Sequence, residues 1–200
     1  MCLGSGCLVQ SLQPFSTGSN RLTLPGLEGD WKLLRDFGRK LEPSDPTPPW
    51  EISRQGDKPE HRWYKVQCAQ TSQAGKGPAK TRKGALKVTL FNVGDRTYCD
   101  VSTGLPSGQT RYQNACLERV HTLGLVEMTN DVLDVRLADR AWFTRGATNG
   151  VFKMSHIHRF RKSMLITEQA PNWKEFLEEH GNDPSLFSTN RYFRLQRLSR

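Results

Sequence analysis

Long stretches of this chain lack carboxylates. None occurs in residues 1–27, none between Arg62 and Gly94, and none between Asp139 and Glu168. The balance over all 200 residues is 29 Lys+Arg against 20 Asp+Glu, a formal net charge of +9. Two-metal nuclease chemistry needs clustered carboxylates. The acids here are scattered or, as with Glu175, Glu178 and Glu179, sit on what reads as a solvated helix face. Cysteine is scarce and odd in number: Cys2, Cys7, Cys68, Cys99 and Cys116, with no Cys-x-x-Cys pair. A disulfide framework wants an even, dense set, so the pattern points to a reducing compartment. Cys68 and Cys99 fall in apolar strand-like runs and read as small buried hydrophobes. Apolar residues make up only 36%, and no apolar run approaches the ~18 residues of a membrane span.

Several catalytic signatures are also missing. There is no Gly-x-x-x-x-Gly-Lys-[Ser/Thr] phosphate loop and no Gly-x-Ser-x-Gly elbow. His156-x-His158 would bring two imidazoles to one strand face, but no Asp, Glu or Cys is near enough in sequence to complete a metal site. Cys116 and His121 are five apart, on different sides of a helix. The expectation is a chain that is not an enzyme, with no catalytic residue, no cofactor, no metal and no small-molecule substrate.

The elements are legible in part. Residues 1–28 read as an extended N-terminal arm or import segment, with Arg21 its only basic residue. Asp30 is a credible N-cap for a short helix over 31–41, where Leu33, Leu34, Phe37 and Leu41 fall near helical spacing. Pro43, Pro46, Pro48 and Pro49 end it. Strands are expected at 62–69, 86–93 and 97–101, the last two joined as a hairpin across Asn92 to Asp95. Residues 111–123 have helical spacing, with Gly124 as C-cap. Short strands follow at 125–128 and 132–137. Residues 141–152 read as a Gly-rich loop. Residues 171–180 form a short helix, and 184–200 a second one capped by Asp183. The fold expected is α+β: a small antiparallel sheet with short flanking helices and extended basic terminal arms. The core domain would span 29–168, followed by a C-terminal helical basic extension over 169–200.

Three basic clusters are the candidate RNA-binding residues. The loop 74–84 holds Lys76, Lys80, Arg82 and Lys83 among small residues that let a backbone lie close to phosphates. The same loop also fits a solvated hairpin tip. The second cluster contains Arg140, Arg145, Lys153, His156, His158, Arg159, Arg161 and Lys162. Trp142, Phe143, Phe152 and Phe160 are interleaved with it, as base-stacking platforms, core anchors or both. The third is the stripe Arg191, Arg194, Arg197 and Arg200, spaced for bidentate phosphate contacts along one helix face or for a frayed tail.

The order of features also carries a likeness. Leu33-Leu34 and Phe37-Gly38-Arg39 lead to Trp50, then to Trp63-Tyr64-Lys65-Val66. Gly84 opens the strand LKVTLFNVG, and Leu117-Glu118-Arg119-Val120 precedes Leu125-Val126. Over residues 31–130 this resembles the mitochondrion-specific small-subunit ribosomal protein of the S-thirty-four type. The loops at 71–83 and 102–116 are longer than in that family, and residues 131–200 have no clear counterpart in it. The resemblance implies a structural constituent of the mitochondrial ribosome small subunit in the matrix, with ribosomal RNA and neighbouring ribosomal proteins as partners. The competing expectation is a basic accessory or assembly subunit of another mitochondrial complex, such as a respiratory enzyme, whose cations meet carboxylates and lipid headgroups. A salt titration of RNA binding distinguishes them.

Overall fold

A computed structural model describes residues 9–36, 39–42, 48–56, 58, 61–72, 80–103, 120–159, 163–167 and 172–198, with backbone only at positions 39, 69–72, 80–83, 103, 157–159, 163 and 190–191. The strands are β1 (Val9–Ser11), β2 (Gly29–Asp36), β3 (Arg39–Lys40), β4 (Trp50–Gln55), β5 (Trp63–Ser72) and β6 (Lys80–Val93). They continue with β7 (Arg96–Thr103), β8 (His121–Thr129), β9 (Val132–Ala138), β10 (His156–Arg159), β11 (Ser163–Ile166) and β12 (Phe187–Arg197). Two helices are described, α1 (Arg140–Thr148) and α2 (Trp173–His180).

The architecture is a closed barrel, which corrects the expected α+β fold of a small sheet with flanking helices. Strands β2, β4, β5, β6, β7, β8, β9 and β12 pair antiparallel in that order. The ring closes where β12 pairs with β2 through Leu195 opposite Leu33 and Arg197 opposite Trp31. Apart from the small β3 and the excursion between β9 and β12, each barrel strand follows its neighbour in sequence, an up-and-down order. Closure satisfies every edge of the ring, and the described strands left with a single partner are the short β3 and β10 outside it.

Alternation explains why these residues make strands. Trp31 and Leu33 of β2, Trp50 and Ile52 of β4, Tyr64 and Val66 of β5, and Phe193 and Leu195 of β12 are all buried in one cluster. Lys32, Asp30 and Glu51 between them are exposed. Period-2 burial of this kind is the signature of a sheet with one wet face. On β6 to β9 both faces are apolar. Leu90, Cys99, Val101, Val126, Leu133 and Leu137 belong to the inner cluster. Phe91, Val93, Tyr98, Leu123, Leu125 and Ala138 belong to a second cluster outside the ring.

That outer face is covered by the rest of the chain. β1 runs parallel to β11 and meets β8 at Ser11 opposite His121, and β10 pairs with β11. α1 and α2 supply Trp142, Phe143, Trp173, Phe176 and Leu177 to the same cluster. Each such side chain removed from water contributes ~1.5–3 kcal/mol. Gly146 sits inside α1 because a Cβ there would overlap the Phe152 ring.

Other expectations are corrected with the fold. Residues 31–36 are strand, not helix, because Trp31 and Leu33 pair across to β4 and β12 rather than along one helix face. Of the C-terminal helix expected over 184–200, residues Phe187–Arg197 are instead β12, a full barrel stave. The loop expected at 141–152 contains α1, whose N-cap Asp139 accepts the Trp142 N–H at 3.0 Å. Of the helix expected at 111–123, residues 121–123 are strand and 111–119 lie outside the described residues. The strands expected at 62–69, 86–93, 97–101, 125–128 and 132–137 are all present within β5 to β9. So is the 173–180 helix, with Asn172 as its cap. Gly94 supplies the positive φ of 61° in the β6–β7 turn.

Candidate functional site: the barrel lumen

Eight strands enclose just enough space to be filled by side chains or to hold one small ligand. Here the filling is incomplete. A cavity of about 70 Å³ remains along the axis, walled by Trp50, Val66, Leu90, Val101, Val126, Leu133 and Leu195 among others. Among the described residues, Trp50, Tyr64, Cys99 and Thr122 are the wall residues with a nitrogen, oxygen or sulfur atom in the side chain. Apolar cavities of this kind stay dry, since water there would find no partners.

One end of the lumen is closed by the chain that precedes β2. The Leu22 N–H donates to Leu90 O at 3.0 Å and the Leu27 N–H to Leu24 O at 3.2 Å. The Leu24 N–H donates to the Tyr64 hydroxyl at 3.1 Å. Pro25 and Gly26, the latter at φ 79°, occupy the central positions of this turn, as type II geometry requires. Leu27 is buried, and Leu22 and Leu24 pack on the inner cluster. Burial pushes the Tyr64 phenol above its ordinary value, so it stays protonated and neutral at the floor.

A cation seals that end. The Arg197 guanidinium lies over the Trp31 ring, 5.5 Å from its centroid. It also donates to Gly26 O and Glu28 O. The Trp31 indole N–H donates to Leu27 O at 2.9 Å. First and last barrel strands are thus locked to the plug between them. At the other end, the connections 37–38, 43–47, 73–79 and 104–119 lie outside the described residues.

Cys99 projects into the lumen, and desolvation pushes its thiol well above the usual range. Gly124 is the neighbour that makes room for it: a Cβ at Gly124 would meet Cys99 Sγ at 2.7 Å. Cys68 is also buried and raised, chiefly by desolvation. Both are free thiols that remain protonated at neutral pH and behave as packing groups.

No family model, no curated protein and no solved structure matches this chain. The site therefore has to be read from its own geometry.

Of the sixteen residues expected to bind RNA, the structure describes the side chains of six. Lys76, Arg161, Lys162 and Arg200 lie outside the described residues. Lys80, Arg82 and Lys83 lie on the first part of β6, paired to Ser72, Gln70 and Ala69. His158 and Arg159 lie on β10, and Arg191 on β12. The side chains of these six are outside the description. Arg140 is half-buried, while Arg145 and Lys153 are exposed. The His156 Nδ1 is 2.8 Å from Met154 O, and His156 and Lys153 line a shallow cleft beside Phe152.

Both C-terminal arginines whose side chains are described have intramolecular partners. Arg194 makes a bidentate pair with Asp134, at 2.8 and 2.7 Å, which raises its own pKa. Arg197 is the clamp on Trp31. Of the interleaved aromatics, Trp142 and Phe143 are buried and Phe152 packs against them at 5.5 and 5.6 Å, so these rings are core anchors. Phe160 lies outside the described residues. The lumen was missed by sequence reasoning because it belongs to closure, which pairs residues 31 and 197. The available signal was the alternation at Trp31, Leu33, Phe193 and Leu195.

Among the described residues, no group of three His, Cys, Asp or Glu side chains could hold a metal ion. No helix among them is long and apolar enough to cross a membrane.

Proposed function

We propose that this protein is a non-catalytic binding protein that holds the slim apolar part of a small ligand, a hydrocarbon chain or a single ring, inside its barrel. The observation that carries the reading is the apolar cavity on the axis of a closed, eight-stranded up-and-down barrel. Barrels of this strand number and order include the lipocalins, which hold one small ligand. That analogy is of fold only; the cavity wall is the specific support. The reading departs from the sequence expectation of no small-molecule partner. A volume of about 70 Å³ suits a few carbon atoms rather than a bulky cofactor.

The test is a methyl-resolved NMR titration with n-octanol and, separately, benzene. Saturable shifts are expected at Val126, Val101, Leu133 and Leu195, with Leu123 and Leu177 of the outer cluster unmoved. Absence of saturable lumen shifts with both compounds would refute the reading.

A second reading keeps the ribosomal expectation. It rests on the net charge of +9 and the acid-free run through β5 and β6. In it the barrel is a structural part of the mitochondrial small subunit in the matrix, contacting RNA phosphates from its exterior. Sedimentation of lysate with and without RNase tests it: co-migration with small subunits that vanishes after RNase supports it. Co-migration with a respiratory complex, unaffected by RNase, would instead support the accessory-subunit alternative.

A further inference from the structure

A second opening lies outside the ring. The segment from Gln13 to Asn20 runs beside the start of α2 and past Asn92 near the end of β6, leaving a cleft of about 580 Å³. That is the size of ordinary small-ligand sites. Among the described residues no Asp or Glu lines it, whereas Lys174 and several amide and hydroxyl side chains do.

Its wall contains buried polar groups with no protein partner. Ser16 is 5% and Trp173 4% exposed. Neither the Ser16 hydroxyl nor the Trp173 indole N–H meets a hydrogen-bond partner. Buried polar atoms in native proteins are nearly always satisfied, and the exceptions call for a ligand, an ion or a water. An indole N–H can only donate, so what completes this site must accept. The Trp173 ring is held by Phe15, with centroids 4.4 Å apart.

The remaining groups have the same polarity. Asn20 Oδ1 already accepts the Thr17 N–H at 2.9 Å, and Asn92 Oδ1 the Thr97 hydroxyl at 3.0 Å. The amide ends left over are donors. Asn172 Oδ1 caps α2 by accepting the Glu175 N–H at 3.2 Å. The helix therefore begins at the cleft, with its first backbone N–H groups unused within the helix. Two lining donors already face acids: Asn172 Nδ2 donates to Glu175 at 2.9 Å, and Lys174 Nζ is 3.6 Å from Glu178, so the donors the cleft offers a ligand are the Trp173 indole, the Ser16 hydroxyl and the amide ends of Asn20 and Asn92.

From this convergence of donors we infer that the cleft between the 13–20 segment and the start of α2 binds a small oxyanion, the carboxylate or phosphate group of a soluble ligand. The site is independent of the lumen, on the other side of the β6–β7 wall.

The test follows the ¹⁵N-indole resonance of Trp173, assigned by its loss in Trp173→Phe, during titration with inorganic phosphate and, separately, acetate. Sodium chloride at matched ionic strength is the control. A saturable shift of this resonance, with that of Trp142 unmoved, is the expected result. A response to phosphate alone, to acetate alone or to both assigns the oxyanion class. Ser16→Ala, which keeps the backbone path, is expected to weaken binding roughly tenfold by removing one hydrogen bond to a charged group. Equal shifts in sodium chloride, no shift with either oxyanion, or unchanged affinity in Ser16→Ala would overturn the inference. Should Trp173→Phe fail to fold, the indole resonance is assigned through the sequential backbone, and Ser16→Ala decides.

Discussion

One guanidinium ties the two ends of the barrel's sequence together. Arg197 meets the Trp31 face and two carbonyls of the plug, Gly26 O and Glu28 O. These contacts combine a cation–π interaction with charge-assisted hydrogen bonds. Replacing Arg197 with Ala is expected to cost about 2 kcal/mol in urea denaturation. Arg197→Lys should recover only part, because an ammonium cannot span ring and carbonyls with one planar fork. Equal stability of Arg197→Ala and the parent protein would show that the clamp is ornamental. At the opposite side, Asp183 gathers the Ser185 hydroxyl at 2.6 Å, the Trp142 indole N–H at 2.6 Å and the Ser185 N–H at 2.8 Å. Those donors, the Ser185 hydroxyl first, hold its carboxyl below the usual range. A carboxyl depressed in the folded state stabilises above its unfolded value and loses that contribution as pH falls through the folded one. Stability should therefore decline below about pH 4, and Asp183→Asn should lower neutral stability while making the acid limb shallower. Denaturation midpoints at pH 7 and pH 3 measure both.

At the scale of elements, β12 shows why closure could not be read from local pattern. Arg191, Arg194, Arg197 and Arg200 recur every three residues, which suggests a helix face. In the strand the same spacing sends Arg194 outward to Asp134 and Arg197 towards Trp31. The apolar pair Phe193 and Leu195 carries the true period of two, masked by Tyr192 and Gln196 alongside. The same competition misread β2, where Leu33-Leu34 looks helical although only Leu33 of the two is fully buried. The hairpins β6–β7 and β8–β9 were legible because their turns are local, at Gly94 and Asn130. Pairing of residues 31 and 197 is set by neither end alone. The lumen, which exists only once that pairing forms, was hidden with it. If β12 is a stave rather than a tail, truncation after Leu186 should open one edge of β2 and one edge of β9 at once. Loss of the folded strand signal in circular dichroism, with aggregation through the open edges, is expected. A soluble truncated chain with unchanged spectrum would restore the appendage view.

For the whole molecule, the two functional readings make different use of the same barrel. A ligand in the lumen touches residues of several strands and has no site in the unfolded chain, so occupancy must stabilise the fold. At a free ligand concentration 100 times its Kd the shift is about 2.7 kcal/mol, and it grows with concentration. Because the ligand sought is uncharged where it is buried, that shift should be nearly insensitive to salt. Polyanion binding to the exterior would also stabilise, but its affinity falls steeply between 50 and 200 mM salt, about the range over which counterion release is felt. Filling the lumen separates them further. Val126→Phe, or the milder Val101→Ile, places carbon in the cavity, with an overpacking cost of about 1–3 kcal/mol for the larger change. Either variant should lose thermal stabilisation by n-octanol while keeping any salt-dependent stabilisation by RNA. If both variants respond to n-octanol as the parent does, the alcohol acts outside the barrel, and the lumen is then a packing void with no ligand of its own.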